Sequence, residues 1–150
     1  MSDRYRLHLF LHGCGVIVLA MLAGVALSLA IPGAWGEDAV RAWRLAHLGP
    51  VVTGVWLIAL AGSCQLLRLS SAASAACVWS LAASGYSFAI SAVLAALCGV
   101  RGLEPTGPAA NLVVFAGFTV GAVGGVIGLG VLLLGAWAAL RKTEDRPVER

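Results

Sequence analysis

The sequence predicts an all-α membrane protein, a polytopic bundle of four helices. Three observations carry that expectation. Sixty per cent of the 150 residues are hydrophobic and only 11% are charged, too few charges to solvate a globular surface. The apolar residues gather into four long runs, each reaching the ~20 residues a helix needs to cross ~30 Å of hydrocarbon. No ten-residue alternating pattern recurs, which argues against a membrane β-barrel.

The first run spans about residues 9–31 and is closed by Pro32-Gly33. Arg4 and Arg6 before it and Ser28-Leu29-Ala30 near its end loosely resemble a cleaved signal. The apolar core is longer than the ~7–15 residues of a signal peptide, so it reads as a retained helix. The second run, about 45–67, ends at Arg68, and the third, about 72–100, ends at Arg101-Gly102. The fourth, about 109–140, ends at Arg141-Lys142. Residues 1–140 thus form the four-helix domain, and 141–150 read as a charged cytoplasmic tail, disordered or lying on the membrane surface.

Orientation follows from lysine and arginine. Arg4, Arg6, Arg68, Arg141, Lys142, Arg146 and Arg150 fall on one side; Arg41, Arg44 and Arg101 fall on the other. Both termini are therefore expected in the cytoplasm, in a protein of the inner membrane, with the Pro32–Arg44 and Arg101–Pro108 loops facing outward. No basic cluster with interleaved aromatics appears, so no nucleic-acid partner is expected. Lipid is the expected surroundings. Cys14, Cys64, Cys77 and Cys98 lie in apolar runs without a C-x-x-C pair, and read as small buried hydrophobes.

Two stripes concern packing. Gly117, Gly121 and Gly125 line one face of the fourth helix, with Gly124 and Gly128 beside them. Such stripes let helices approach closely; clearance for a flat cofactor is the other reading. Ser80, Ser84, Ser87 and Ser91 recur at helical spacing on the third helix, with Tyr86 between them. Membrane serines usually bond their own i−4 carbonyl or a neighbouring helix. The alternative is a polar cavity wall with Tyr86 as hydroxyl donor.

The histidines carry the chemistry. His8 and His12 share a helix face, a spacing that can hold a metal or simply mark two interfacial side chains. His47 stands in Trp43-Arg44-Leu45-Ala46-His47-Leu48-Gly49-Pro50, about one turn inside the outer end of the second run. A neutral imidazole is a strong ligand for haem iron. Trp43 lies a turn outward of it and Gly54 two turns inward, where the missing side chain is expected to leave space beneath the ring. Pro50 has no N–H and frees the Ala46 carbonyl. Arg41 and Arg44 are placed to hold carboxylates such as haem propionates; an interfacial histidine with snorkelling arginines is the alternative. Antiparallel helices put His12 and His47 roughly 20 Å apart, at 1.5 Å of rise per residue. A haem shared by these two within one chain is excluded.

The segments His12-Gly13, Trp43-x3-His47-x-Gly49-Pro50, Arg101-Gly102-Leu103 and Gly107-Pro108 resemble those of the styrene oxide isomerases, small four-helix membrane proteins. The resemblance implies a homotrimer with ferric haem b near the subunit interfaces and His47 as axial ligand. It implies iron acting as a Lewis acid that converts small apolar substrates such as aryl epoxides to aldehydes, a Meinwald rearrangement. Thr53 stands where the family has an asparagine, Ser84 where it has an aspartate, Tyr86 at a neighbouring aromatic, and Ala92 at a substrate-contacting tyrosine. Thr53, Ser84 and Tyr86 are therefore the candidate substrate-pocket positions, Tyr86 standing in for the lost hydroxyl. His47, Trp43, Arg41, Arg44 and Gly54 are the candidate haem-binding positions. Two alternatives follow from those departures and the glycine stripes: a haem-binding sensor, carrier or electron-transfer protein, and a cofactor-free scaffold subunit.

Overall fold

The computed structural model describes residues 1–32 and 35–144. Among them are four long helices and no strand: α1 (Asp3–Ala30), α2 (Glu37–Ser63), α3 (Ser71–Cys98) and α4 (Ala109–Glu144), with a single 3₁₀ turn over Cys64–Leu66. Each helix is long and apolar enough to cross a membrane, and most of its large apolar side chains face outward. That arrangement is inverted relative to a water-soluble bundle and suits lipid contact. The protein is a membrane protein.

Local sequence explains the ends. Ser70 caps α3 by accepting a hydrogen bond from the Ala73 N–H at 3.2 Å, and Gly99 ends that helix at φ 63°. Glycine takes this left-handed conformation without the Cβ penalty. Glu37 and Asp38 occupy the first turn of α2, where carboxylates suit the positive end of the helix dipole. This start corrects the expected boundary. Arg41 and Arg44 lie on the first turns of α2 rather than in a loop, because charged residues continue a helix that hydropathy alone does not register. At the other end, α4 runs through Glu144, so residues 141–144 are helix rather than tail. Gly33 and residues 145–150 lie outside the described residues.

The helices run antiparallel in sequence. The Arg6 guanidinium donates to the Ala61 carbonyl at 3.0 Å, joining the start of α1 to the end of α2. Ala30 packs with Trp43 and Ala46, joining the opposite ends. α1 and α2 touch most intimately at Gly13 and Gly54. A Cβ on Gly13 would lie 2.8 Å from the Gly54 oxygen, and one on Gly54 would lie 2.7 Å from the Gly13 oxygen. Backbone therefore meets backbone, the close approach that small residues permit in a membrane.

α4 packs chiefly on α3. Gly117 and Gly125 face Ser91 and Ser84, Gly121 faces Phe88, Gly128 faces Leu81, and Gly124 faces the Ser80 carbonyl. The Ser84 hydroxyl crosses to donate to the Gly121 carbonyl at 2.7 Å, and Ser80 bonds the Ala76 carbonyl on its own helix at 2.6 Å. The glycine stripe thus serves packing, and α3 side chains fill the space beside it. Cys64 and Cys77 are buried, Cys14 is half-buried, and Cys98 is exposed at the end of α3; all four are free thiols.

Candidate functional site

His47 belongs to the end of the bundle remote from the termini. α2 begins at Glu37, so His47 lies about three turns into the helix at 3.6 residues per turn, deeper along it than the hydropathy boundary suggested. Its Nδ1 is 2.9 Å from the Ala20 carbonyl of α1. A carbonyl has no proton to give, so Nδ1–H is the donor. In the neutral ring Nε2 is then unprotonated and free to act as a ligand. No hydrogen bond reaches Nε2 among the described residues. Gly24 creates the seat: a Cβ there would stand 2.8 Å from Nδ1 and 3.0 Å from Cε1.

Around this ring the end of the bundle remote from the termini is apolar and finely packed. Trp43 is 7% exposed and lies among Ala23, Ala30 and Ala46, with Ala92, Val93 and Ala96 of α3 against them. Trp35 meets Trp43 at a centroid distance of 6.3 Å. Ala92, the position matched to a substrate-contacting tyrosine, is therefore brought to the Trp43 end of the bundle. Outward of the cluster, Arg41, Arg44, Glu37, Val40, Gly36 and Ile31 line an open cavity of about 450 Å³. Arg41 reaches Asp38 at 3.9 Å, both strongly exposed; exposed pairs of this kind contribute little, so both guanidinium groups remain available to an anion.

The other candidate positions do not converge on His47. Gly54 is not a space beneath the imidazole. Ile17 and the Gly13 backbone occupy that side, because α1 crosses α2 there. Thr53 donates to the Gly49 carbonyl of its own helix at 3.0 Å, and its methyl faces Gly85 of α3. Ser84 points to α4 through its bond to Gly121. Tyr86 points to α1, its hydroxyl seated against Gly15 and 3.5 Å from Nδ1 of His12. Gly15 lies five to nine residues before Ala20 and Gly24, about 8–14 Å along the helix at 1.5 Å per residue. Ser84 and Tyr86 are two residues apart, hence roughly 200° around a helix; that angle already assigns them to different neighbours. Among the described residues no group of three or more His, Cys, Asp or Glu side chains is placed to hold a metal. A lone histidine nitrogen is a donor that haem iron can accept, whereas a protein-only metal site needs more ligands.

One element escaped the sequence reading. Asn111, in the first turn of α4, accepts from the Gly102 N–H at 2.7 Å and donates to the carbonyls of Glu104 and Thr106 at 2.9 and 2.7 Å. It ties the α3–α4 loop to the start of α4. An asparagine three residues after Pro108 was the available signal, since amides near helix starts often bond the preceding loop.

Four apolar helices and a half-buried imidazole whose Nδ1–H is held by the Ala20 carbonyl define a small membrane protein with an oriented histidine. A family model described as styrene oxide isomerase matches residues 5–137. The chain belongs to the styrene oxide isomerase family, with the isomerase character this membership carries. A comparison with curated proteins finds no match.

Proposed function

We propose that this chain is a membrane isomerase converting small apolar epoxides to aldehydes, with haem b held on Nε2 of His47. The observation that carries the reading is the Nδ1–H bond to Ala20 over Gly24. It fixes the tautomer a metal needs and orients the ring, as second-shell acceptors do for ligating histidines. Arg44 and Arg41, outward on the same helix beside the open cavity, would take the carboxylates of the group. Bound there, ferric haem supplies a Lewis acid for opening an epoxide C–O bond. The reaction is an isomerisation, so it needs no outside oxidant or reductant.

The chain's own contribution is position and dryness. The apolar cluster of Trp43, Ala46 and Ala92 excludes water, which would otherwise open the epoxide to a diol. Ala92 is a smaller side chain where the family carries a tyrosine. With the lysine and arginine excess on the cytoplasmic side, both termini would lie in the cytoplasm and His47 towards the outer face of the inner membrane. A homotrimer would cover part of the apolar exterior.

The test is conversion of an aryl epoxide by the purified, haem-loaded chain. Aldehyde formation without added cofactor, abolished by His47→Ala, supports the reading; diol or unchanged epoxide overturns it. A second reading, a haem protein without isomerase activity, rests on one observation: Ser84 and Tyr86 engage α4 and His12 rather than the His47 end. Reversible reduction of the iron with no epoxide turnover would select it. A cofactor-free scaffold requires that the purified chain bind no haem at all.

A further inference from the structure

A second polar cluster lies at the other end of the bundle, outside the site above. His8 and His12 project from one face of α1, with ring centroids 6.0 Å apart and planes 17° from parallel. Trp79 of α3 lies against both, 5.4 Å from each ring. Tyr86 meets His12 edge-on, at 88°, and its hydroxyl reaches to 3.5 Å from Nδ1. Among the described residues, Nε2 of His12 is the one buried side-chain nitrogen or oxygen with no hydrogen bond. A buried polar atom left unmet is costly, and native structures keep few of them without a ligand, a water or a function that uses them.

We propose that His8 and His12 form a binding site for a divalent transition-metal ion, separate from His47 and most selective for Cu(II). Two histidines at i and i+4 are a helical chelate, the spacing that places two imidazoles on one ion. Tyr86 is the positioning residue: in the metal-binding tautomer its oxygen accepts from Nδ1–H of His12 across the 3.5 Å contact, which leaves Nε2 unprotonated for the ion. His47 shows the same division of labour, with the Ala20 carbonyl as acceptor. Gly15 makes it possible, since any side chain there would collide with the hydroxyl.

The donor set decides the metal. Asp3, the nearest acidic residue in sequence, is paired with Arg6 at 2.9 Å, and among the described residues no group of three or more His, Cys, Asp or Glu side chains forms there. Two neutral nitrogens with exogenous water suit late first-row ions, Cu(II) before Ni(II) and Zn(II). They do not suit Mg(II) or Ca(II), which take oxygen. On α1, His12 precedes the His47 contacts at Ala20 and Gly24 by eight to twelve residues. That is about 12–18 Å of helix, so the two sites fill independently.

The test is titration of the purified, untagged full chain in detergent with Cu(II). Trp79 serves as reporter, because a paramagnetic ion beside its ring quenches it. The expected result is one saturable ion per chain, with quenching that disappears in Trp79→Phe and nitrogen couplings from two imidazoles in the electron paramagnetic resonance spectrum. His8→Ala and His12→Ala each weaken binding at least tenfold. Tyr86→Phe weakens it about tenfold, the lower end for a lost second-shell partner, at unchanged stoichiometry, and His47→Ala leaves it unaltered. Protection of His8 from carbethoxylation by Cu(II) in the wild-type chain gives a readout that needs no variant. Binding insensitive to His8→Ala and His12→Ala, binding abolished by His47→Ala alone, or an absence of protection overturns the proposal.

Discussion

Gly24→Ala probes the preparation of His47 without touching the ligand itself. An added Cβ would stand 2.8 Å from Nδ1 and 3.0 Å from Cε1, against ordinary carbon contacts of ~3.5–4.0 Å. The imidazole must retreat by roughly 0.5–1 Å on that contact scale. It can, because it is the far end of a flexible side chain, so the helices need not part. What it loses is the 2.9 Å bond to Ala20. A bond of this kind contributes about 0.5–1.5 kcal/mol to stability, and second-shell partners of metal-binding histidines are worth 10–100-fold in affinity. The expected outcome is a folded protein whose haem affinity falls 10–100-fold, about 1.4–2.8 kcal/mol. The assay is the rate and extent of haem transfer to an excess of apomyoglobin. Gly62→Ala is the control: a Cβ there meets open space, so affinity should stay unchanged. A folded Gly24→Ala protein that holds haem within twofold of wild type would refute the reasoning.

Three further outcomes follow from packing. Gly54→Val drives a side chain into the Gly13 backbone, whose oxygen already lies 2.7 Å from the Cβ position; overpacking of this kind costs about 1–3 kcal/mol or more, read as a lower midpoint of thermal unfolding in detergent. Ser84→Ala removes the hydroxyl that donates to Gly121, and should lower stability by about 0.5–1.5 kcal/mol while leaving epoxide turnover and haem affinity unchanged. Asn111→Ala removes all three bonds that close the α3–α4 loop, so amide exchange at Gly102 should rise at least tenfold. Unchanged exchange there would show that the loop holds itself.

The four helices were legible because hydrocarbon imposes long apolar runs, and the described residues contain all four. The start of α2 was not, because Glu37, Asp38, Arg41 and Arg44 are good helix residues with no hydropathy signal. The glycine and serine stripes pointed correctly to packing, since their spacing fixes a face and α3 and α4 are each other's neighbours. Gly54 misled for the opposite reason. Spacing along α2 puts it on the inward side of His47, but only the crossing with α1 shows that Ile17 and Gly13 fill that side. His47 itself was readable as an expensive polar group beside a helix proline. Its partner Ala20 was not, because a backbone carbonyl 27 residues away leaves no mark on side-chain identity. Tyr86 and His12 are 74 residues apart, and likewise only the packing of α3 on α1 joins them.

Whether His47 is the haem ligand is decided by the absorption spectrum of the purified chain beside that of His47→Ala. The wild-type protein should show an intense Soret band, abolished or shifted in the variant, with both proteins equally helical. A wild-type protein without the band, or a band identical in His47→Ala, would contradict it.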